Sequence, residues 1–204
     1  MAGDTIHFVR AFLRHPRWVG AVLPSSRSLA RVMTGNLQLA DGESVVELGP
    51  GTGPFTAQIS RIVPARSAYL GIERDPVLVE RLRKRFPDLK FITGLAEQVA
   101  DHHQEAKMGP TRAIICGLPF ASLPLATQDA IIDSLEDLVP PGGLFRTFQY
   151  VHAYFLPAAV RFRRRMNRTF GPHHRSPAVL ANLPPAYVLT WSRKTAGASS
   201  PNGS

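Results

Sequence analysis

The residues whose types and spacing are most suited to chemistry lie in Val45-Val46-Glu47-Leu48-Gly49-Pro50-Gly51-Thr52-Gly53. An apolar run ends in an acid and passes into glycines at every second position. Glycine permits positive φ and lets a ligand press against bare backbone. Dinucleotide enzymes space their glycines G-x-G-x-x-G and seat a pyrophosphate on a helix N-terminus. Here the third glycine comes one residue early, and Glu47 would repel a pyrophosphate but suits the ammonium of a bound amino acid. Glu73 ends the next apolar run, twenty residues after Gly53. A carboxylate at that place binds both hydroxyls of a ribose.

The elements needed to position these acids are legible as an alternation of short apolar runs and amphipathic segments, the pattern of βαβ units and a parallel sheet. Strands are expected at Ser44–Leu48, Tyr69–Glu73, Lys90–Thr93, 113–116 and Leu144–Tyr150. Helices are expected at 55–63, 76–86 (opening on Pro76), Leu125–Leu138 and 152–168, the last with a kink at Pro157. Segments 175–179 and 187–193 read as a closing antiparallel hairpin, and 1–36 as one or two helices placed before the sheet. The domain organisation that follows is an N-terminal helical membrane-binding extension over 1–36, a catalytic domain over 37–194 and a disordered Gly/Ser/Pro/Asn tail over 195–204.

At 204 residues with 44% hydrophobic residues the chain suits one domain with a sizeable core. No apolar stretch reaches the roughly 18–20 residues that span a bilayer. Arg10, Arg14 and Arg17 interrupt any signal-peptide core, so a cytoplasmic protein is expected. Cys116 is the single cysteine, which leaves no intrachain disulfide and agrees with a reducing compartment. The histidines lack ligand spacing around acidic partners, so no metal is expected. The net charge of +9 favours a polyanion, nucleic acid or an anionic membrane face, unless it reflects only a genome that prefers Arg.

The glycine loop and the two acids resemble those of the class I S-adenosylmethionine-dependent methyltransferases, over about residues 44–150. The resemblance implies a Rossmann-like, seven-stranded α/β sheet flanked by helices. It also implies that Glu47, Gly49, Gly51 and Gly53 line the methionine part of S-adenosylmethionine, and that Glu73 with its neighbour Arg74 takes the ribose. Ala96 and Glu97 flank the adenine and Gly117 closes the cofactor site, with S-adenosylhomocysteine as product.

Three features bear on the methyl acceptor. Cys116-Gly117-Leu118-Pro119-Phe120 resembles the Asn-Leu-Pro-Tyr motif of rRNA adenine dimethylases, with Gly117 where the amide that holds the adenine amine would stand. Phe120 keeps an aromatic wall without the hydroxyl. Residues 5–26 place Ile6, Phe8, Val9, Phe12 and Leu13 at helical spacing with Arg10, Arg14 and Arg17, which describes a helix lying in a membrane interface. Tyr150, His152 and Tyr154 close the fifth strand and run into the arginines of 161–168.

Together with Arg14-His15-Pro16 and Leu23-Pro24-Ser25-Ser26, these features resemble the bacterial phospholipid N-methyltransferases over nearly the whole chain. The resemblance implies methylation of phosphatidylethanolamine towards phosphatidylcholine on the inner face of an anionic membrane. Tyr150 and His152 would serve as catalytic residues, and Leu118, Phe120, Tyr154 and Arg175 would bind the lipid. The alternatives are an rRNA or other nucleic-acid adenine methyltransferase, or a membrane-binding scaffold without catalysis. No protein partner is evident.

Overall fold

The computed structural model describes residues 25–193. Seven strands form one sheet in the order β3-β2-β1-β4-β5-β7-β6. They are β1 (Ser44–Leu48), β2 (Tyr69–Glu73), β3 (Lys90–Thr93), β4 (Thr111–Cys116), β5 (Leu144–Tyr150), β6 (His174–Arg175) and β7 (Ala186–Ser192). Strands β1 to β5 are parallel, and β7 runs antiparallel between β5 and β6. The expected Rossmann-like sheet is therefore present, with its closing antiparallel pair.

All five residues of β1 and of β2 are buried, as expected of central parallel strands covered on both faces. Side chains alternate across the sheet and split the core in two. On one face Val46, Leu48, Leu70, Ile72, Ile114 and Cys116 pack with α5 (Leu125–Leu138) and α6 (Pro157–Phe170). On the other, Val45, Tyr69, Ala113 and Ile115 pack with α1 (Arg27–Thr34), α2 (Thr56–Ile59) and α3 (Pro76–Arg85).

Helix starts follow local chemistry. Ser26 caps α1 by accepting from Leu29 N–H, and Asp75 caps α3 by accepting from Val77 N–H, with Pro76 in the first turn. Helix α1 buries Leu29, Ala30 and Met33, and Arg146 donates to the Met33 and Gly35 carbonyls. Residues 25–36 are thus built into the domain, whereas the expected interfacial helix lies outside the described residues, as does the expected disordered tail.

Two expectations differ from what forms, and one further helix is present. The helix over 55–63 contracts to the four residues of α2, followed by turns. The helix over 152–168 divides: Val151–Ala153 is a single 3-10 turn, and α6 begins at Pro157 rather than kinking there. A proline's missing N–H costs nothing in a first turn, so Pro157 starts the helix. Helix α4 (Val99–Glu105) was not foreseen; only Val99 of it is fully buried, so the segment shows little amphipathic period.

Candidate active site

Strand order reverses between β1 and β4, and in open α/β sheets ligands sit at such a switch point, beyond the carboxyl ends of the strands. Two glycines meet there. Gly117 N–H donates to Leu48 O at 2.8 Å. A Cβ on Gly117 would lie 2.8 Å from Gly49 O, and one on Gly49, at φ +66, would lie 2.6 Å from the Leu118 side chain. Gly117 is therefore glycine for a steric reason: the β4 loop crosses directly over the β1 loop. The side-chain amide of the adenine dimethylases has no room at this backbone position. Gly51, at φ +59, has nothing within 4 Å of its missing Cβ, so ligand atoms can approach its backbone.

Both acids end up on this loop, by different routes. Glu73 braces it from outside: its two oxygens accept from Gly51 N–H and Asp75 N–H, each at 3.0 Å. Burial raises its pKa against these backbone bonds. Each oxygen keeps a lone pair for a ribose hydroxyl. Glu47 lies beneath the loop, wholly buried, and Oε2 accepts from Tyr69 OH at 2.6 Å and Thr56 Oγ1 at 2.8 Å. Its Oε1 is buried and has no partner among the described residues. Desolvation pushes the Glu47 carboxyl from 4.5 up to about 7, opposed by the Tyr69 and Thr56 hydrogen bonds.

An unpartnered buried carboxylate oxygen costs about 1–3 kcal/mol, which a ligand ammonium would offset. The orphaned oxygen, the open backbone at Gly51 and the spare lone pairs of Glu73 fit an amino-acid-bearing nucleoside. Tyr69 and Thr56 escaped the sequence reading. Tyr69 is opposite Val45 and Gly71 opposite Glu47, and a Cβ on Gly71 would meet Tyr69 OH at 2.7 Å. Only register reveals that the glycine leaves the phenol a path to the acid.

Arg74 is exposed next to Glu73, and Ala96 and Glu97 are half-buried in a 3-10 turn after β3, whose Gly94 N–H donates to Glu73 O at 3.0 Å. These residues, with Gly49, Gly51 and Gly53, gather at one edge of the sheet.

The acceptor side divides. Tyr150 and His152 come together, their rings parallel at 5.7 Å, with Tyr150 half-buried and His152 exposed. Burial pushes the Tyr150 phenol from 10.0 up to about 12. Leu118 is half-buried over Gly49.

Phe120 is a correction: it is 3% exposed and stacks on Phe162 at 4.3 Å, inside the core rather than on a substrate wall. The 3-10 turn Phe120–Ser122 directs it down against α6, and a ring gains more from that contact than from water. Tyr154 is likewise buried, covered by the Arg163 guanidinium at 3.7 Å, with exposed Arg175 at 5.2 Å. Arg163 also donates to Gln149 Oε1 at 2.6 Å and to Tyr154 O at 2.8 Å. Cys116 is buried beneath the switch point, and burial pushes its thiol up to about 12, which makes it a packing residue.

Residues 7–142 match the family model described as protein-L-isoaspartate(D-aspartate) O-methyltransferase. An ornithine lipid N-methyltransferase from Singulisphaera acidiphila is 27% identical over 186 residues, which is 90% of this chain and 93% of that protein. A ribosomal RNA small subunit methyltransferase A from Chlorobium phaeobacteroides is 31% identical over 68 residues, 33% of this chain and 25% of that protein. A solved S-adenosylmethionine-dependent methyltransferase from Anabaena variabilis shares the fold at a TM-score of 0.62 and 13% identity, covering 95% of this chain and 96% of that one. The glycine loop at the switch point and the matched span carry one conclusion: the chain belongs to the protein-L-isoaspartate(D-aspartate) O-methyltransferase family and is a class I S-adenosylmethionine-dependent methyltransferase.

Proposed function

We propose that the chain transfers methyl groups from S-adenosylmethionine to the amine of phosphatidylethanolamine and its mono- and dimethyl derivatives, at an anionic membrane face. The observation that carries this reading is the extent of the lipid relative: it spans nearly all of both chains, whereas the ribosomal RNA match spans a third of this one. The surface beside Tyr150 supports it. Phe155 and Leu156 follow β5, Leu180 and Leu183 precede β7, and all four are exposed. The two loops leave the same end of the sheet, tied by Val151 N–H to Pro185 O at 2.9 Å. Exposed aliphatic and aromatic residues at the mouth of a site suit insertion among lipid headgroups. Among the described residues no helix is long and apolar enough to cross a membrane.

When bound, the cofactor supplies an electrophilic methyl group on a sulfonium. Glu47 Oε1 would hold its ammonium, Glu73 its ribose hydroxyls, and the open Gly51 backbone would leave room for it. A lipid amine must lose a proton before it attacks, because amines of this type have a pKa near 10.4 in water. A poorly hydrated pocket next to a positive sulfonium lowers that value. Tyr150 stays protonated at neutral pH and so serves as an oxygen acceptor that aims the amine lone pair, not as a base. His152, stacked on it, keeps that ring in place at the solvent edge, where the proton leaves to water. Alignment then supplies much of the rate.

The deciding assay uses labelled S-adenosylmethionine with liposomes of phosphatidylethanolamine, liposomes of ornithine lipid, and ribosomal RNA. Ornithine lipid is the second reading because the relative's name specifies it. Label in phosphatidylethanolamine is expected. Label confined to ornithine lipid replaces the acceptor but keeps the class, and label confined to RNA overturns the lipid reading.

A further inference from the structure

One concavity among the described residues lies away from the switch point. It lies on the outer flank of the glycine loop, encloses about 500 Å³ and is lined by Arg27, Arg31, Arg61 and Arg85, with Thr52 and Pro54 of the loop itself. Its remaining polar lining is Ser25 and Gln58, and no carboxylate lines it. The arginines come from α1, the turn after α2, and α3, so three elements direct cations to one hollow. None of the four is in an ion pair among the described residues. Arg85 is held in place by donating to Thr52 O at 2.9 Å. Gathering like charges round a concavity is unfavourable unless an anion neutralises them, and concave walls concentrate the potential.

We propose that this hollow is a phosphate site, and that its ligand is the phosphate of an anionic phospholipid headgroup. Guanidinium forks match phosphate oxygens in pairs, and the Thr52, Ser25 and Gln58 side chains add neutral donors. The volume falls within the usual range of small-molecule sites, large enough for a headgroup around its phosphate. Its shape argues against RNA, which needs an extended basic track rather than one hollow. The anion site rests on the cavity alone; the choice of a lipid as its source rests on the lipid acceptor proposed above. Ser26, next to Ser25 of the hollow, donates its N–H to Asn182 Oδ1 at 2.8 Å, between exposed Leu180 and Leu183, so a membrane phosphate seated here lies close to the acceptor rim.

The test compares the full chain with two charge-neutralised pairs. Arg31→Gln with Arg61→Gln removes two cations from the hollow. Arg66→Gln with Lys107→Gln removes two exposed cations that precede β2 and β4, at the opposite edge of the sheet. Sedimentation with vesicles of phosphatidylglycerol and phosphatidylcholine in equal parts is expected to show about thirty-fold weaker binding for the first pair and under about three-fold for the second. Calorimetry with inorganic phosphate separates the sources: a first pair that loses phosphate binding but keeps vesicle binding assigns the site to a free phosphate compound.

Equal losses for both pairs would show that only net charge acts, and would overturn the site. So would a first pair that loses affinity for single-stranded RNA alone. Should the first pair melt early, Arg27→Gln with Arg61→Gln makes the same comparison. Methyl transfer to short-chain phosphatidylethanolamine in detergent keeps the two readings apart. Arginine-dependent vesicle binding without that methylation refutes the acceptor and keeps the site, and methylation with both pairs binding vesicles normally refutes the site and keeps the acceptor.

Discussion

On the β1–β2 side of the switch point the site is held by backbone. Its main-chain groups make the contacts: Gly51 N–H is fixed on the Glu73 carboxylate, Gly49 N–H on Ile72 O, and Leu48 O takes the N–H of Gly117 from the crossing β4 loop. On the β4–β5 side it is held by side chains from separated segments: Tyr150 on His152, Tyr154 under Arg163 and Arg175, Phe120 turned down on Phe162. A backbone-held half presents the same geometry to any relative with the same glycines. A half made of side chains changes whenever a loop changes. The cofactor half is thus common to many methyltransferases, and the acceptor half carries the individuality of this one.

The largest way to break this comparison is Phe120→Ala. If Phe120 belongs to the core, its loss opens a cavity beside Phe145 and Phe162 and costs about 3–5 kcal/mol of stability. Urea unfolding checks it, and a variant of wild-type stability with a raised KM for lipid would return Phe120 to the acceptor wall.

Glu47 gives the next effect, through pH. Its carboxyl is raised from 4.5 to about 7, so the folded protein holds a proton that the unfolded chain releases. Stability from this group is complete below pH 4.5 and is lost as pH rises to 7, by about 3 kcal/mol in all. The ionised form attracts the cofactor's ammonium, so cofactor affinity should climb with pH up to about 7 and then level off. Glu47→Gln should flatten both profiles, by denaturation and calorimetry at several pH values. An unchanged pH dependence of binding in the variant would remove Glu47 from the cofactor's surroundings.

Glu73→Ala should weaken S-adenosylmethionine binding by about 1–3 kcal/mol, through lost charge-assisted bonds and a freed Gly51 loop. Equal affinity in a folded variant would leave Glu73 as a loop brace only.

Tyr150→Phe tests the other half. Turnover on lipid should fall about 10–100-fold, or about 1.4–2.7 kcal/mol, with cofactor affinity unchanged. A rate within two-fold of wild type would show the phenol to be packing on His152 and nothing more.

Residues 44–48 and 69–73 read as strands because strands covered on both faces are continuous apolar runs, and their closing acids and glycines stand in one contiguous stretch each. Helix α4 was not legible, because a helix with one fully buried residue has almost no apolar period. Phe120 was misread because its motif fixes the residue type but not the direction of the turn that carries it. The arginine hollow left no local trace: Arg27, Arg31, Arg61 and Arg85 are separated along the chain and look like ordinary solvated charges.

What the sequence determined by itself was the cofactor edge, since a glycine loop and an acid at a strand end are local patterns whose backbone demands are met within a few residues. It also determined the excess of positive charge. Only the tertiary structure decided where that charge converges, that Tyr69 and Thr56 hold Glu47 beneath the loop, and that Gly117 is glycine because the Gly49 carbonyl passes against it. Each of these depends on register and crossing between strands far apart in the chain, and contact distances of that kind are properties of packing.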